Sequence, residues 1–248
     1  MGILYVMWLR QLKRYWRSKP RMIGMLGLPL LFLVALGFGF GPIYQKAGGG
    51  DYIQFLAPGV TAMTILFAAM FSGIEVIWDR QFGFLKETLV APVSRLQIML
   101  GRILGGATVA VIQGIIVLAI SLLVGFRVSD LILLPLALFF MFLIALLFTA
   151  LGTAIASMLE DMQAFPLIMN FIIMPLFFLS GALFPLVGLP DAIMIIALFN
   201  PLSYGVDALH AMLGGISTFG IGIDFAVLGA LTLAVFAIGS YLFEKIEI

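Results

Sequence analysis

Residues 79–102 read DRQFGFLKETLVAPVSRLQIMLGR, a charged stretch between two long apolar runs, and the rest of the chain is organised around it. It carries Asp79, Arg80, Lys86, Glu87, Arg95 and Arg102. Phe82, Leu85 and Leu89 recur at i, i+3 and i+7, the spacing that gives a short helix one apolar stripe. Pro92 disfavours helical geometry at Ala91 and offers no N–H, so this helix ends before Ser94, which can cap the apolar run that follows. A short helix between two membrane spans is expected. Such a helix can dock on a partner or rest on lipid headgroups as an ordinary amphipathic loop helix.

The composition around this stretch sets the class. The 248 residues are 63% hydrophobic and 10% charged, whereas roughly a quarter of the residues in soluble domains are charged. This is the balance of an integral membrane protein, with room for several spans and short loops but not for an added soluble catalytic domain. A single membrane domain over residues 1–248 is expected. With no cysteine, disulfides and thiol chemistry are excluded.

On the N-terminal side, residues 57–77 form the second span and 22–40 the first, just long enough for a core of about 30 Å. Pro29 lies inside the first, and a loop with Gly48, Gly49 and Gly50 joins the two. Residues 1–21 set Leu4, Trp8, Leu12 and Trp16 on one helical face and Arg10, Lys13, Arg14 and Arg17 on another, the pattern of an interfacial helix and of a positive flank. No small-x-small cleavage pattern follows the first apolar run, so this region is expected to stay in the chain. Glu75 lies near the inner end of the second span, a few residues from Asp79 and Arg80, where it can snorkel to the interface, pair with arginine or serve a function within the membrane.

On the C-terminal side, residues 103–124 form the third span, entered through Gly101, Gly105 and Gly106, whose spacing lets helix backbones approach closely. Residues 131–158 form the fourth, long enough to require tilt, and Glu160 and Asp161 mark the turn after it. Residues 164–183 form the fifth, interrupted by Pro166 and Pro175. Its Asn170 needs a partner, either another helix or a wet cavity. Pro185, Pro190 and Pro201 cut the segment 184–222, whose apolar piece 192–199 is too short to span. It is expected to dip into the membrane and return, or to lie flat on the outer face. Asp224 precedes the sixth span, 225–243.

The charges orient this layout. With the N-terminus inside, eleven of the 13 basic residues fall in inner segments, leaving Lys46 and Arg127 outside. Six spans then place both termini in the cytosol.

The catalytic inventory is sparse. There is no G-x-x-x-x-G-K-[ST] phosphate loop, so the chain does not hydrolyse ATP by that route. There is no H-E-x-x-H, and the single histidine, His210, cannot build a histidine-rich metal site. Asp207 precedes it by three residues, a spacing that allows a local hydrogen bond, a proton relay or a metal contact. No nucleophile and base stand together, so the chain is not expected to be an enzyme, to hold a metal or to bind nucleic acid. Apart from Glu75 the carboxylates fall in expected loops, which offers no ion-coupling site and directs attention to an energy source on the cytosolic side.

Three blocks, QFLAPGVTAM at 54–63, FGFLKETLVAPVSRLQIMLGRILGG at 82–106, and FLSGALFPL at 178–186 with FNPLSYGVDALHAML at 199–213, together with the six-span order, resemble the permease subunits of type-2 ABC exporters. That group includes bacterial drug-resistance, polysaccharide and nodulation-factor export permeases. The resemblance covers nearly the whole chain and implies an all-α integral membrane protein with an N-terminal elbow helix, a cytosolic coupling helix between spans two and three, and re-entrant helices before span six. It implies a homodimer in a prokaryotic cytoplasmic (inner) membrane, bound to two copies of a separate ATP-binding subunit that holds ATP and Mg, with no cofactor on this chain. By the same resemblance the coupling helix is 80–91, and Arg80, Phe82, Leu85, Lys86 and Glu87 contact the ATPase. The substrate pathway between spans two and five involves Phe67, Phe71, Asn170, Phe171 and Phe178. His210 departs from the family, where arginine is frequent. An apolar lining suits an amphipathic or lipidic substrate, although the family also exports polar glycans. A stand-alone secondary transporter or channel, marked by an inverted repeat, and a non-transporting assembly or immunity factor are the alternatives.

Overall fold

The computed structural model describes residues 2–84, 94–159 and 161–244, and all regular secondary structure among them is helical. The expected coupling residues Leu85, Lys86 and Glu87 lie outside the described residues, as do Pro92, Glu160 and Lys245.

Helix α1 (Ile3–Arg17) ends at Ser18, where the chain turns into α2 (Lys19–Lys46). Pro20 stands in the first turn of α2, where a missing N–H costs nothing. The turn therefore comes three residues before the end of the expected interfacial segment. Helix α3 (Tyr52–Gln81) starts at Asp51, whose side chain accepts a hydrogen bond from the Ile53 N–H at 2.9 Å. Helix α4 (Arg95–Val124) starts at the expected cap, Ser94, which accepts from the Gln97 N–H at 3.3 Å. Asp130 opens a 3₁₀ turn, Leu131–Leu133, leading into α5 (Leu134–Met158).

Helix α6 (Ala164–Phe178) contains a π-helical turn at Met169–Ile173, bringing its length to roughly 22 Å at helical rise. It stops short of the 183 expected from hydropathy. Two shorter helices follow, α7 (Asp191–Phe199) and α8 (Pro201–Gly214), bent by 91° across Asn200. The Asn200 side chain accepts from the Leu202 N–H and donates to the Leu176 carbonyl, so one residue caps α8 and ties the bend to α6. Helix α9 (Ile221–Glu244) closes the fold.

Five of these helices, α2, α3, α4, α5 and α9, are long and apolar enough to cross a membrane, and the protein is an all-α membrane protein. Their ends run past the expected spans, to Gln81 in α3 and back to Arg95 in α4. On these extra turns Asp79 and Arg102 bond to each other.

Helix α3 is the axis of the molecule, buried along most of its length among α2, α4, α5 and α8. A methyl group built on Gly73 would sit 2.3 Å from the Gly152 carbonyl carbon, so α3 and α5 cross in backbone contact. The spaced glycines of α4 serve a different neighbour from the span expected. Cβ atoms on Gly101 and Gly105 would lie 2.7 Å from Met7 Cβ and from Gln11 Cβ, and what nests there is α1. This close approach rotates α1 from the orientation its apolar stripe suggested. Met7, Gln11 and Tyr15 are buried, and Trp16 is exposed.

Candidate functional site

At the end of the bundle where α3 finishes and α4 begins, acidic and basic residues from four helices meet. Glu75 and Asp79 stand one turn apart on α3, and Arg10 and Arg14 one turn apart on α1. Asp79 receives both Arg10 Nη atoms, at 2.9 and 2.8 Å, and Arg102 Nη2 at 2.6 Å. Arg14 Nη1 lies 3.6 Å from both Glu75 Oε2 and Asp79 Oδ1, and Arg21 at the start of α2 bonds Glu75 Oε1. Glu75, Asp79 and Arg102 are all buried. Glu75 thus pairs with arginines more than fifty residues away in the sequence. The two acids at i, i+4 and the two arginines at i, i+4 were the sequence signal for this ladder.

The cluster flanks the opening stretch from both sides. Asp79 belongs to the last turns of α3 and Arg102 to the early turns of α4, so their bond ties together the two helix ends that flank this stretch. Arg10 extends the tie by laying its guanidinium 3.8 Å from the centroid of the Phe84 ring. Of the expected docking residues, Arg80 is half-buried and Phe82, at the end of α3, is 82% exposed.

The expected pathway residues fall into two groups. Phe67 and Phe71 are half-buried on α3 and, with Leu28 and Pro29 of α2, line a groove of about 370 Å³ that ends at Arg21. Above it, Phe32, Phe67, Phe177 and Phe178 pack ring to ring, with centroids 5.3–6.5 Å apart. This joins Phe178 to the Phe67 side. Asn170 and Phe171 instead stand exposed on the π-helical turn of α6, and the Asn170 side chain makes no hydrogen bond to the described residues. The helix-to-helix hydrogen bond considered for it is not made among the described residues.

At the opposite end, Asp207 and His210 turn to separate partners. His210 stacks on the Phe55 ring with centroids 4.6 Å apart, and its Nε2 lies 2.8 Å from the Phe55 carbonyl oxygen. Asp207 accepts from the Ser217 hydroxyl and from the N–H groups of Thr218 and Phe219, at 2.6–3.0 Å. The local Asp207–His210 hydrogen bond suggested by their spacing is replaced by two longer-range ties, one to α3 and one to the loop entering α9. Asp224, in the first turn of α9, is fully buried with neither carboxylate oxygen hydrogen-bonded to the described residues. Its burial had no signal in the sequence, where it reads as an ordinary acidic residue at a helix start. Among the described residues, no three His, Asp or Glu side chains gather closely enough to hold a metal ion.

The profile of the ABC-2 type transporter family matches residues 3–213. The chain is 31% identical to nodulation protein J of Rhizobium leguminosarum bv. trifolii over 198 residues, covering 78% of this chain and 74% of that protein. It is 30% identical to the transport permease ycf38 of Cyanophora paradoxa over 189 residues, covering 73% and 64%. With nodulation protein J of Rhizobium meliloti the match is 26% identical and covers 90% and 85%.

Proposed function

The chain belongs to the ABC-2 type transporter family and is a transmembrane subunit of an ABC transporter; from that premise we propose that it is the permease of an ATP-driven exporter. It works as a homodimer and is coupled through residues 80–91 to two copies of a separate ATPase subunit, which holds ATP and Mg. Six spans, with α6 as the fifth and α7 and α8 as a re-entrant pair, place both termini in the cytosol of a prokaryotic inner membrane. The excess of basic residues at the end where α3 finishes and α4 begins supports this orientation.

The observation that carries the coupling is the ion-pair ladder. A loop pushed by a partner moves the membrane domain only if its two ends respond together. The Asp79–Arg102 bond, reinforced by Arg10 and Arg14, makes α1, α3 and α4 one unit at the loop's base. Arg80 and Phe82 at the loop's entry, followed by Leu85, Lys86 and Glu87, are the residues that meet the ATPase.

Substrate passes between α3 and α6 of the two subunits, past Phe67, Phe71 and Phe178 and the unsatisfied Asn170 with its neighbour Phe171. The apolar groove leading to Arg21 favours an amphipathic or lipidic substrate. The test is a detergent pull-down of the tagged chain from its native membrane, with mass spectrometry and ATPase assay of the eluate. A stoichiometric protein carrying a phosphate-binding loop is expected, and the Leu85→Ala/Glu87→Ala variant should weaken its recovery and abolish transport. A chain recovered alone, or a variant with unchanged complex and transport, would overturn the coupling and favour a self-sufficient carrier.

A further inference from the structure

Behind the ion-pair ladder, in the crook between α1 and the start of α2, lies an open concavity of about 710 Å³. Its wall changes character along α1. Val6 and Leu9 give it an apolar side, while Lys13, Arg14 and Arg17 crown the part nearest the corner, where Ser18 supplies a hydroxyl.

The charges there are not balanced by the fold. Among the described residues, the guanidiniums of Arg10, Arg14, Arg21 and Arg102 form ion pairs with two carboxylates, Glu75 and Asp79, a surplus of two positive charges. Lys13 and Arg17 add to that surplus, both exposed and neither in an ion pair with the described residues. Helix α2, which leaves this corner, is one of the helices built to cross the membrane. The concavity therefore lies at the depth where lipid headgroups meet acyl chains.

We propose that this crook is a binding site for an anionic glycerophospholipid, with Lys13, Arg17 and the Ser18 hydroxyl holding the headgroup phosphate while Val6 and Leu9 receive the upper acyl chains. Charge and polarity select this occupant. A phosphate with a net negative headgroup matches an unpaired cationic rim, and acyl chains match the apolar wall beside it. A zwitterionic lipid offers the same chains but carries a choline cation into a field that is already positive. The site requires the membrane setting of the chain and does not depend on the coupling to an ATPase.

Native mass spectrometry of the purified full-length chain, with any protein that accompanies it, tests this by titration with dioleoyl phosphatidylglycerol and dioleoyl phosphatidylcholine. The phosphatidylglycerol should bind selectively. Lys13→Gln/Arg17→Gln should weaken it roughly thirtyfold, from two lost basic contacts at a membrane surface, while phosphatidylcholine binding stays as it was. Lys13→Arg/Arg17→Lys keeps the charge and should keep the selectivity. Should the double glutamine variant lower the unfolding midpoint, Arg17→Gln alone is read instead, with a loss of roughly fivefold. Equal binding of the two lipids, or unchanged selectivity in the glutamine variants, overturns the proposal. Displacement of the lipid by equimolar inorganic phosphate also overturns it, since the site would then recognise a soluble anion.

Discussion

Removing the Asp79 carboxylate is the sharpest perturbation the structure offers. Asp79→Ala strips three charge-assisted hydrogen bonds from arginines of two helices, but the consequences for those arginines differ. Arg10 and Arg14 have side chains 26% and 30% exposed and can turn to water. Arg102 is 2% exposed, and its Nε and Nη1 have no hydrogen-bond partner among the described residues. The loss is therefore concentrated on one buried cation, for which breaking a buried pair from one side costs about 3–5 kcal/mol. Glu75 still faces Arg102 electrostatically, which favours the lower end, about 3 kcal/mol. For a chain of this size that amounts to a fall in unfolding midpoint of roughly 6–12 °C, readable by tryptophan fluorescence or size-exclusion thermal challenge in detergent. Asp79→Asn/Arg102→Met removes the stranded cation together with its partner and should recover more than half of the loss. An Asp79→Ala midpoint within about 2 °C of the parent, or a double variant no better than the single, would refute the reasoning.

Gly73→Ala forces a methyl group against the Gly152 backbone, which cannot rotate away, so overpacking should cost about 1–3 kcal/mol and visibly reduce the monodisperse fraction in fluorescence-detected size exclusion; a parental profile would contradict the backbone crossing. Asp224→Asn removes a buried carboxylate that has no donor among the described residues, so it should leave the midpoint unchanged or raised at neutral pH, and a clear fall would reveal an ionic partner. Asn170→Leu should fold normally, because its side chain bonds nothing described, yet reduce transport several-fold with the ATPase complex intact; full transport would remove Asn170 from the pathway.

Hydropathy places the long helices of this fold because a membrane-crossing stretch must be apolar almost throughout, and the 3₁₀ turn with α5, Leu131–Met158, begins and ends where the sequence indicates. It fails at the helix ends. Residues such as Glu75, Asp79 and Arg102 look like the edge of a span until their partners are known: Arg102 reaches across to Asp79 on α3, and Glu75 and Asp79 reach arginines up to 69 residues away on α1 and α2. Likewise the glycines at 101 and 105 announce a close approach without saying to which helix. The partner is α1, and that contact decides which face of α1 is buried. The break before the last span is legible from its prolines, and Asn200 supplies the cap and the tie to α6 that fix its angle. The π-helical turn in α6 left no trace in the stretch MNFII, since nothing in that composition distinguishes π from α winding.

Because the chain contains no cysteine, the central claim can be tested directly with single-cysteine variants. Phe82→Cys and Glu87→Cys in the native membrane, treated with a short thiol-reactive photocrosslinker, should each capture a protein carrying a phosphate-binding loop. Lys46→Cys, at the other end of α2, should not. Adducts confined to lipid or to a second copy of the permease, or equal capture from position 46, would contradict coupling through the loop that follows α3.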